Sequence, residues 1–397
     1  PIFRMPVQLT NTLVNTASTE YAPSITGDGL TLYFCSNRAG SNAGSMDMWM
    51  VTRHNFTAPW SNPTPLTSIN SSTPETYVDV RDDDLEMFFS SQWPLNNVGL
   101  NDLYVASRSS VSTPWIAANM ANMGPLVNTT NSEDDPTVTA DGLELYWAAP
   151  TRPEGGTGTA SIYRITRKST TSPWSTLVQW VSEIDSTFQD HSPAISPDGL
   201  SIIFSSTRVG TGSDLYLATR SGIGTTFSVP VPLTELNSIG GWDHNGQWSG
   251  DGFSYYYTQN STNDIWRADR ILPLCLFSGG AYVLSPGVTG INGGDTLIIS
   301  CRRDPGDVGV ILGALAKIPP VKLPGIQGML NLNLGTTFMP PWIGPVNNHG
   351  RWSLILPVPK DKRLHGTTVY FQCATQDQAT PAATYLSPAQ TVSIVVR

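Results

Sequence analysis

Charge is scarce in this chain: of 397 residues, only 13% are Asp, Glu, Lys or Arg, against roughly a quarter in an average soluble domain. Basic residues are the scarcer kind, 22 against 31 acidic, giving a net charge of -9. That balance excludes the basic footprint of a nucleic-acid binder. Long apolar runs are also missing, and nothing approaches the roughly 18 residues of a membrane-spanning helix. Four cysteines and five histidines leave no zinc-spaced cluster. There is no P-loop, dinucleotide fingerprint or G-x-S-x-G elbow. A sparsely charged chain rich in Asn, Ser and Thr points to an extracellular or cell-surface protein. Its numbering opens on Pro1 rather than Met, as expected of an exported chain whose signal peptide has been removed.

What the chain does hold is one phrase written five times. It reads PSITGDGLTLYF at 23–34, VDVRDDDLEMFF at 78–89, PTVTADGLELYW at 136–147, PAISPDGLSIIF at 193–204 and GQWSGDGFSYYY at 246–257. The aligned acids Asp28, Asp83, Asp141, Asp198 and Asp251 are 55, 58, 57 and 53 residues apart. A period of that length marks an array of like modules. Each phrase is an Asp-Gly-type hairpin between runs of β-branched and aromatic residues. A third strand follows, opening at Asp47, Asp102, Ser161, Asp214 and Asp264. Four strands per repeat and no helical period predict propeller blades.

The fourth strands supply the ring closure. Aromatics Trp60, Trp115, Trp174 and Phe227 open a Pro-rich segment after the first four third strands, but nothing comparable follows Asp264-Ile265-Trp266. The N-terminal FRMPVQLT at 3–10 matches FSVPVPLT at 227–234 at Phe, Pro, Val, Leu and Thr. It is therefore expected to complete the fifth blade and remove the open sheet edge.

These motifs resemble the PD40, or TolB-like, branch of WD40-like repeats, in which an S-P-D-G-type hairpin precedes an aliphatic-aromatic strand and an S-x-R-x-G turn. Ser196-Pro197-Asp198-Gly199 and Ser206-Thr207-Arg208-Val209-Gly210 carry the likeness, as does Ser36-Asn37-Arg38-Ala39-Gly40. Blade two departs from it, with Asp84 for Gly and no Arg, and blade three has Ser161 for the third-strand Asp. The resemblance covers about residues 1–272 and implies a five-bladed propeller in an all-β protein. It implies little about activity, since propellers host many unrelated functions.

After residue 272 the texture changes. Short alternating runs at 295–301, 309–313, 350–357, 367–373 and 391–396 predict a β-sandwich, Ig-like, over 273–397. It resembles C-terminal sandwiches appended to secreted bacterial proteins. Cys301 and Cys373 end two of its strands at a spacing like that of an inter-sheet bridge. Cys35 and Cys275 are read as two buried free thiols, or else as a pair across the junction. Residues 1–272 hold 13 Lys and Arg against 26 Asp and Glu, whereas 273–397 hold 9 against 5, with no Glu. An acidic module joined to a basic one suggests self-association, as in a surface layer or filament.

Aligning the repeats exposes an acid at the start of every inner strand: Glu20, Glu75, Glu133, Asp190 and Asp243. Five such carboxylates are expected around the channel mouth, either as a binding ring that could take Ca²⁺ or as acids that cap turns and pair with arginines. The next position reads Tyr21, Thr76, Asp134, His191 and His244. His191 and His244 are the only residues placed for acid-base or metal chemistry. Some polysaccharide lyases with TolB-like propellers use mouth-facing histidines, so a metal-assisted uronate lyase is one alternative. A glycan- or peptide-binding mouth is another. No cofactor is required by the motifs, and the reading that fits them best is a binding or assembly protein, not an enzyme. Asp82-Asp83-Asp84 falls on a hairpin and reads as a turn rather than a ligand set.

Overall fold

A computed structural model describes residues 2–9, 13–41, 46–54, 58–93, 96–209 and 212–250, then 252, 254–259 and 263–270, with backbone strands alone beyond that point. The chain divides into two compact units, one essentially Phe3–His54 with Ala58–Asp269, the other Arg270–Arg397.

The first unit is a five-bladed propeller. Blade one pairs Glu20–Ile25, Thr31–Ser36, Asp47–Thr52 and Thr64–Pro65 in order from inside to outside. Blade two pairs Glu75–Val80, Glu86–Ser91, Asp102–Ser107 and Met120–Asn122. Blade three pairs Asp134–Val138, Glu144–Ala149, Ser161–Thr166 and Gln179–Trp180. Blade four pairs Asp190–Ile195, Ser201–Ser206, Asp214–Thr219 and Val231–Pro232. Blade five has Asp243–Trp248, Ser254–Gln259 and Asp264–Asp269, and its outer strand is the N-terminal Val7–Gln8. Val7 lies opposite Arg267 and Gln8 opposite Trp266. Phe3 is 1% exposed and packs 5.6 Å from Trp248 and 6.3 Å from Tyr255, ring centre to ring centre. The expected closure of the ring by its own first strand is therefore present.

The hairpin phrase folds for a local reason. Thr26, Thr139 and Ser196 donate their hydroxyls to Asp28, Asp141 and Asp198 at 2.6, 2.6 and 2.5 Å. Each of these Asp residues also accepts the backbone N–H two residues on, as Asx turns do. The following glycine takes a left-handed φ of 69°, 71° and 67° at Gly29, Gly142 and Gly199. Blade two does the same with Asp84 at 59°, a residue type that tolerates this region; its carboxylate is held by Arg108 and by the Tyr33 hydroxyl.

An arginine six residues after the start of each third strand then locks hairpin to outer strand. Arg53, Arg108, Arg167 and Arg220 donate Nε to the carbonyls of Gly29, Asp84, Gly142 and Gly199 at 2.6–2.9 Å. Their guanidinium groups lie 4.3–4.9 Å above Trp60, Trp115, Trp174 and Phe227. One side chain thus satisfies a turn carbonyl and covers an aromatic face.

The inner faces of the blades form the cores. Phe34, Phe89, Trp147, Phe204 and Tyr257 end the five phrases and are fully buried. Cys35 is a free thiol within this packing, and burial pushes it up to about 12, so it is inert at neutral pH. Trp49 and Tyr216 are also buried and serve as core.

Beyond residue 270, strands Thr296–Arg302 and Arg351–Pro357 share one sheet with Leu274–Gly279, while Val308–Ala314, Thr368–Gln376 and Gln390–Val395 lie in another. The backbone register sets Cys275 opposite Cys301 and Ile311 opposite Cys373. The expected sandwich packing, and the pairing of Cys301, Cys373 and Cys275, lie outside the described side chains. Among the described residues no helix is long and apolar enough to cross a membrane.

Candidate functional site

The five inner strands converge on the propeller axis, and each begins in the same way. The aligned acid is the first residue in four blades and, in blade three, the residue just before the strand. Glu20, Glu75, Glu133, Asp190 and Asp243 are all 0% exposed. Each accepts both the backbone N–H and the hydroxyl of a Ser or Thr just upstream: Thr16, Ser71, Thr129, Ser186 and Ser238, at 2.5–2.9 Å. Arg38, Arg152 and Arg208 complete three of these cages at 3.0, 3.4 and 2.5 Å. Blade two has no such Arg, and burial pushes Glu75 up to about 7. Of the two readings open for these acids, a binding ring or turn caps paired with arginines, the contacts match the caps, each formed within its own blade. Their repetition reflects the repeated blade, because every blade has the same upstream N–H groups to satisfy.

The next residue along is the other position expected at the mouth. Tyr21, Thr76, Asp134, His191 and His244 are half-buried. After each comes a β-bulge, where the pairing with the second strand slips. The bulge residues Ala22, Tyr77, Asp135, Ser192 and Asn245 all take left-handed φ, between 47° and 54°. This conformation is uncommon for non-glycine residues, and its recurrence in all five blades makes it a device of the fold. It breaks the strand alternation and brings the bulge residues and their successors to the axis. A small depression, open to solvent, is lined there by Ala22, Tyr77, Asp135, Ser192, Asn245 and their successors, including Asp79, Gly246 and Gln247.

Below the depression the channel is plugged by hydrogen bonds that cross from blade to blade. Asp79 accepts the Val138 N–H at 2.7 Å, the Ser24 hydroxyl at 3.4 Å and the Gln247 amide. Gln247 in turn accepts the Ile25 N–H at 2.6 Å. One carboxylate on blade two therefore touches blades one, three and five. Asp135 accepts the Ser192 N–H and hydroxyl at 3.0 and 3.1 Å and the Asn245 amide at 2.6 Å. Neither has an Arg or Lys partner among the described residues, and burial pushes Asp79 up to about 8 and Asp135 up to about 7. Asp82, at the far end of the axis, packs against Gly27 and Gly250 and is pushed up to about 7 by burial. Asp83 pairs with Arg81 at 2.6 Å, so Asp82-Asp83-Asp84 splits three ways.

The two histidines have different fates. Asn245 must present its amide NH₂ to Asp135, which turns its carbonyl oxygen to His244 Nδ1. His244 therefore carries its proton on Nδ1, and its Nε2 has no hydrogen-bond partner among the described residues. His191 has both nitrogens occupied, Nδ1 by the Ser192 hydroxyl at 2.9 Å and Nε2 by the Ser213 hydroxyl at 3.2 Å. Burial and the neighbouring His244 push His191 down to about 3, and burial lowers His244. Two neutral imidazoles, one of them saturated, are poor material for shared metal ligation or acid-base work. Among the described residues no three metal-ligating side chains converge. Asp134 is bonded to Asn101 at 2.9 Å, and burial pushes it up to about 6. Sequence reasoning missed Asp79, Asp135, Asn245 and Gln247; the signal was there, in two aligned positions that vary from blade to blade, Ala22, Tyr77, Asp135, Ser192 and Asn245, and Ser24, Asp79, Thr137, Ala194 and Gln247.

With this geometry in place, likenesses to solved structures can be stated. The chain is similar to TolB. TolB from Acinetobacter baumannii matches with a TM-score of 0.39 and 13% identity over 65% of this chain and 56% of that one. An α-L-arabinofuranosidase from Lactobacillus brevis matches with a TM-score of 0.44 and 12% identity over 69% of this chain and 95% of that one. This chain thus spans little more than half the length of the Acinetobacter TolB. The likenesses concern the propeller fold, which TolB-like proteins share with glycoside hydrolases. No family profile and no curated protein matches the sequence.

Proposed function

We propose that the protein is a non-enzymatic binding protein of the extracellular space or cell surface whose ligand sits at the channel mouth of its TolB-like propeller. One observation carries this reading. The five blades impose the same backbone on equivalent residues, so architectural positions repeat their side chains: five capping acids, five capping Ser or Thr. The mouth and bulge positions, on that same backbone, carry Tyr-Ala, Thr-Tyr, Asp-Asp, His-Ser and His-Asn. Residues freed from the repeat, the first of each pair half-buried and the second gathered on the axis, fit selection by a ligand.

The rim supports a macromolecular ligand. Phe188, Val209, Ile239 and Trp242, in the connections next to His191 and His244, are 50, 63, 107 and 42% exposed. Peptide and oligosaccharide arrays test the reading with the wild type, Asp135→Asn and His244→Ala. A bound class that both variants lose supports it; binding indifferent to both places the ligand elsewhere. The lyase alternative loses ground on His191, whose two nitrogens are already engaged. Appearance of an unsaturated uronate by ultraviolet absorbance, abolished in His244→Ala, would reinstate it.

A further inference from the structure

We propose that Asn245 is a self-processing site: the groups around its amide drive its deamidation, turning a neutral bridge on the axis into a second acid beside Asp135. The fold itself writes the reactive pair. The bulge of blade five holds position 245 at a φ of 47°, a region that Asn tolerates better than most residues. The next position has no room for a side chain, since the Tyr255 hydroxyl lies 2.2 Å from where a Gly246 Cβ would be. Two unrelated demands thus produce Asn-Gly, which occurs at only one other place in the chain, Asn292-Gly293. Both residues sit in the bulge, between His244 opposite Thr258 and Gln247 opposite Tyr256, and Gly246 lines the solvent-open depression. Because Gly246 has no side chain, its backbone nitrogen approaches the Asn245 side-chain carbon with the least hindrance.

The amide is held at both ends by groups that suit this reaction. His244 Nδ1 donates to its carbonyl oxygen, which draws electrons from the carbon and holds the oxyanion as it forms. Its nitrogen lies 2.6 Å from Asp135 Oδ1 and 2.9 Å from the Ser192 hydroxyl. Burial pushes Asp135 up to about 7, so a large share of molecules carry a proton there at neutral pH. The same contacts that tie the blades together therefore give this amide an oxyanion donor and an acid at its leaving nitrogen.

The atoms balance without a cofactor. The Gly246 nitrogen, its proton taken by water, bonds to Asn245 Cγ, and His244 holds the resulting tetrahedral oxygen. The amide nitrogen takes a proton from Asp135 and the C–N bond breaks, leaving a succinimide and releasing ammonia. The proton given to water restores Asp135. A second water opens the ring to aspartate or isoaspartate at position 245, so the sum is one water consumed and one ammonia released. The product faces Asp135 with a carboxyl group where the amide donors were, which loosens the tie across blades three, four and five.

The test is peptide mapping by mass spectrometry of the full chain aged at neutral pH, with isoaspartyl methyltransferase labelling as a second readout. The same chain aged in denaturant gives the rate of the bare dipeptide, and Asn292 in that sample calibrates it. Asn245 is expected to convert about tenfold or more faster in the folded chain than in denaturant, a modest part of what a placed acid supplies. His244→Ala and Asp135→Asn each slow the folded rate about tenfold, and His244→Ala keeps the proposal testable if Asp135→Asn fails to fold. An Asn245 that survives longer in the folded chain than in denaturant overturns the proposal, as does a folded rate indifferent to His244→Ala. Ligand binding at the mouth stands or falls separately.

Discussion

Two positions one residue apart on the inner strands behave as opposites. The capping acids are fully buried, repeat in every blade and satisfy the same two donors each time. Their immediate neighbours, from Tyr21 to His244, are half-buried and never repeat as a pair with the bulge residue that follows. A repeat protein thus contains its own control experiment. Where the same backbone demands the same residue, architecture is speaking; where it tolerates five answers, selection has acted for another reason.

The comparison can be broken hardest at the ring closure, which belongs wholly to architecture. Removing residues 1–12 takes away Phe3 and the Val7–Gln8 strand, and size-exclusion chromatography should show aggregated or unfolded material; an unchanged mass and melting curve would refute the closure. Phe3→Ala, a milder form, should cost about 3–5 kcal/mol in denaturant unfolding. Glu20→Ala comes next: it leaves the Thr16 N–H and hydroxyl without their acceptor and takes one partner from the half-buried Arg38, and should cost about 1–3 kcal/mol, whereas Tyr21→Ala, one residue on, should cost less and act on ligand.

A pH series sharpens the contrast in a different way. Asp79 ionises near 3.8 when unfolded and near 8 when folded, so the folded state holds a proton that the unfolded state has lost. Stability should therefore fall as pH rises from about 4 to about 8, and Asp79→Asn should flatten that slope. His191 works in the other direction: its folded value near 3 lies below 6.5, so its contribution is present above 6.5 and lost as pH falls towards 3. Thermal melts across pH 4–9 check both signs. The smallest stability effect should come from Thr76→Ala and His244→Ala, within about 0.5 kcal/mol of wild type, while His244→Ala impairs ligand binding. Size measurements across a salt series address the acidic and basic halves: self-association through them should weaken as salt rises.

Most of the fold was legible because it is written in repeated local chemistry. Asp-Gly hairpins, the Ser-x-Arg turn and the match between 3–10 and 227–234 each have a short-range or period-length cause. The candidate site was legible only to the residue. Alignment singled out Glu20, Glu75, Glu133, Asp190 and Asp243 and the position after them, Tyr21, Thr76, Asp134, His191 and His244, but stopped short of the residue beyond. The reason is the bulge at Ala22, Tyr77, Asp135, Ser192 and Asn245. Strand periodicity assumes strict alternation, and a bulge breaks it without any glycine to announce it. The plug formed by Asp79, Gln247 and Asn245 was out of reach for another reason, since its bonds span up to 168 residues and belong to no repeat. The clasp of Arg53, Arg108, Arg167 and Arg220 was overlooked although its six-residue offset is plain in the sequence, with Arg270 at the same offset in blade five.

The left-handed bulge has a consequence for how such a molecule changes over time. It supplies five sockets whose occupants lie apart from the caps and clasps but not from one another, since Asp135, Ser192 and Asn245 are bonded across blades three, four and five. The contents of those three sockets can therefore change only together, whereas Thr76 can be exchanged on its own.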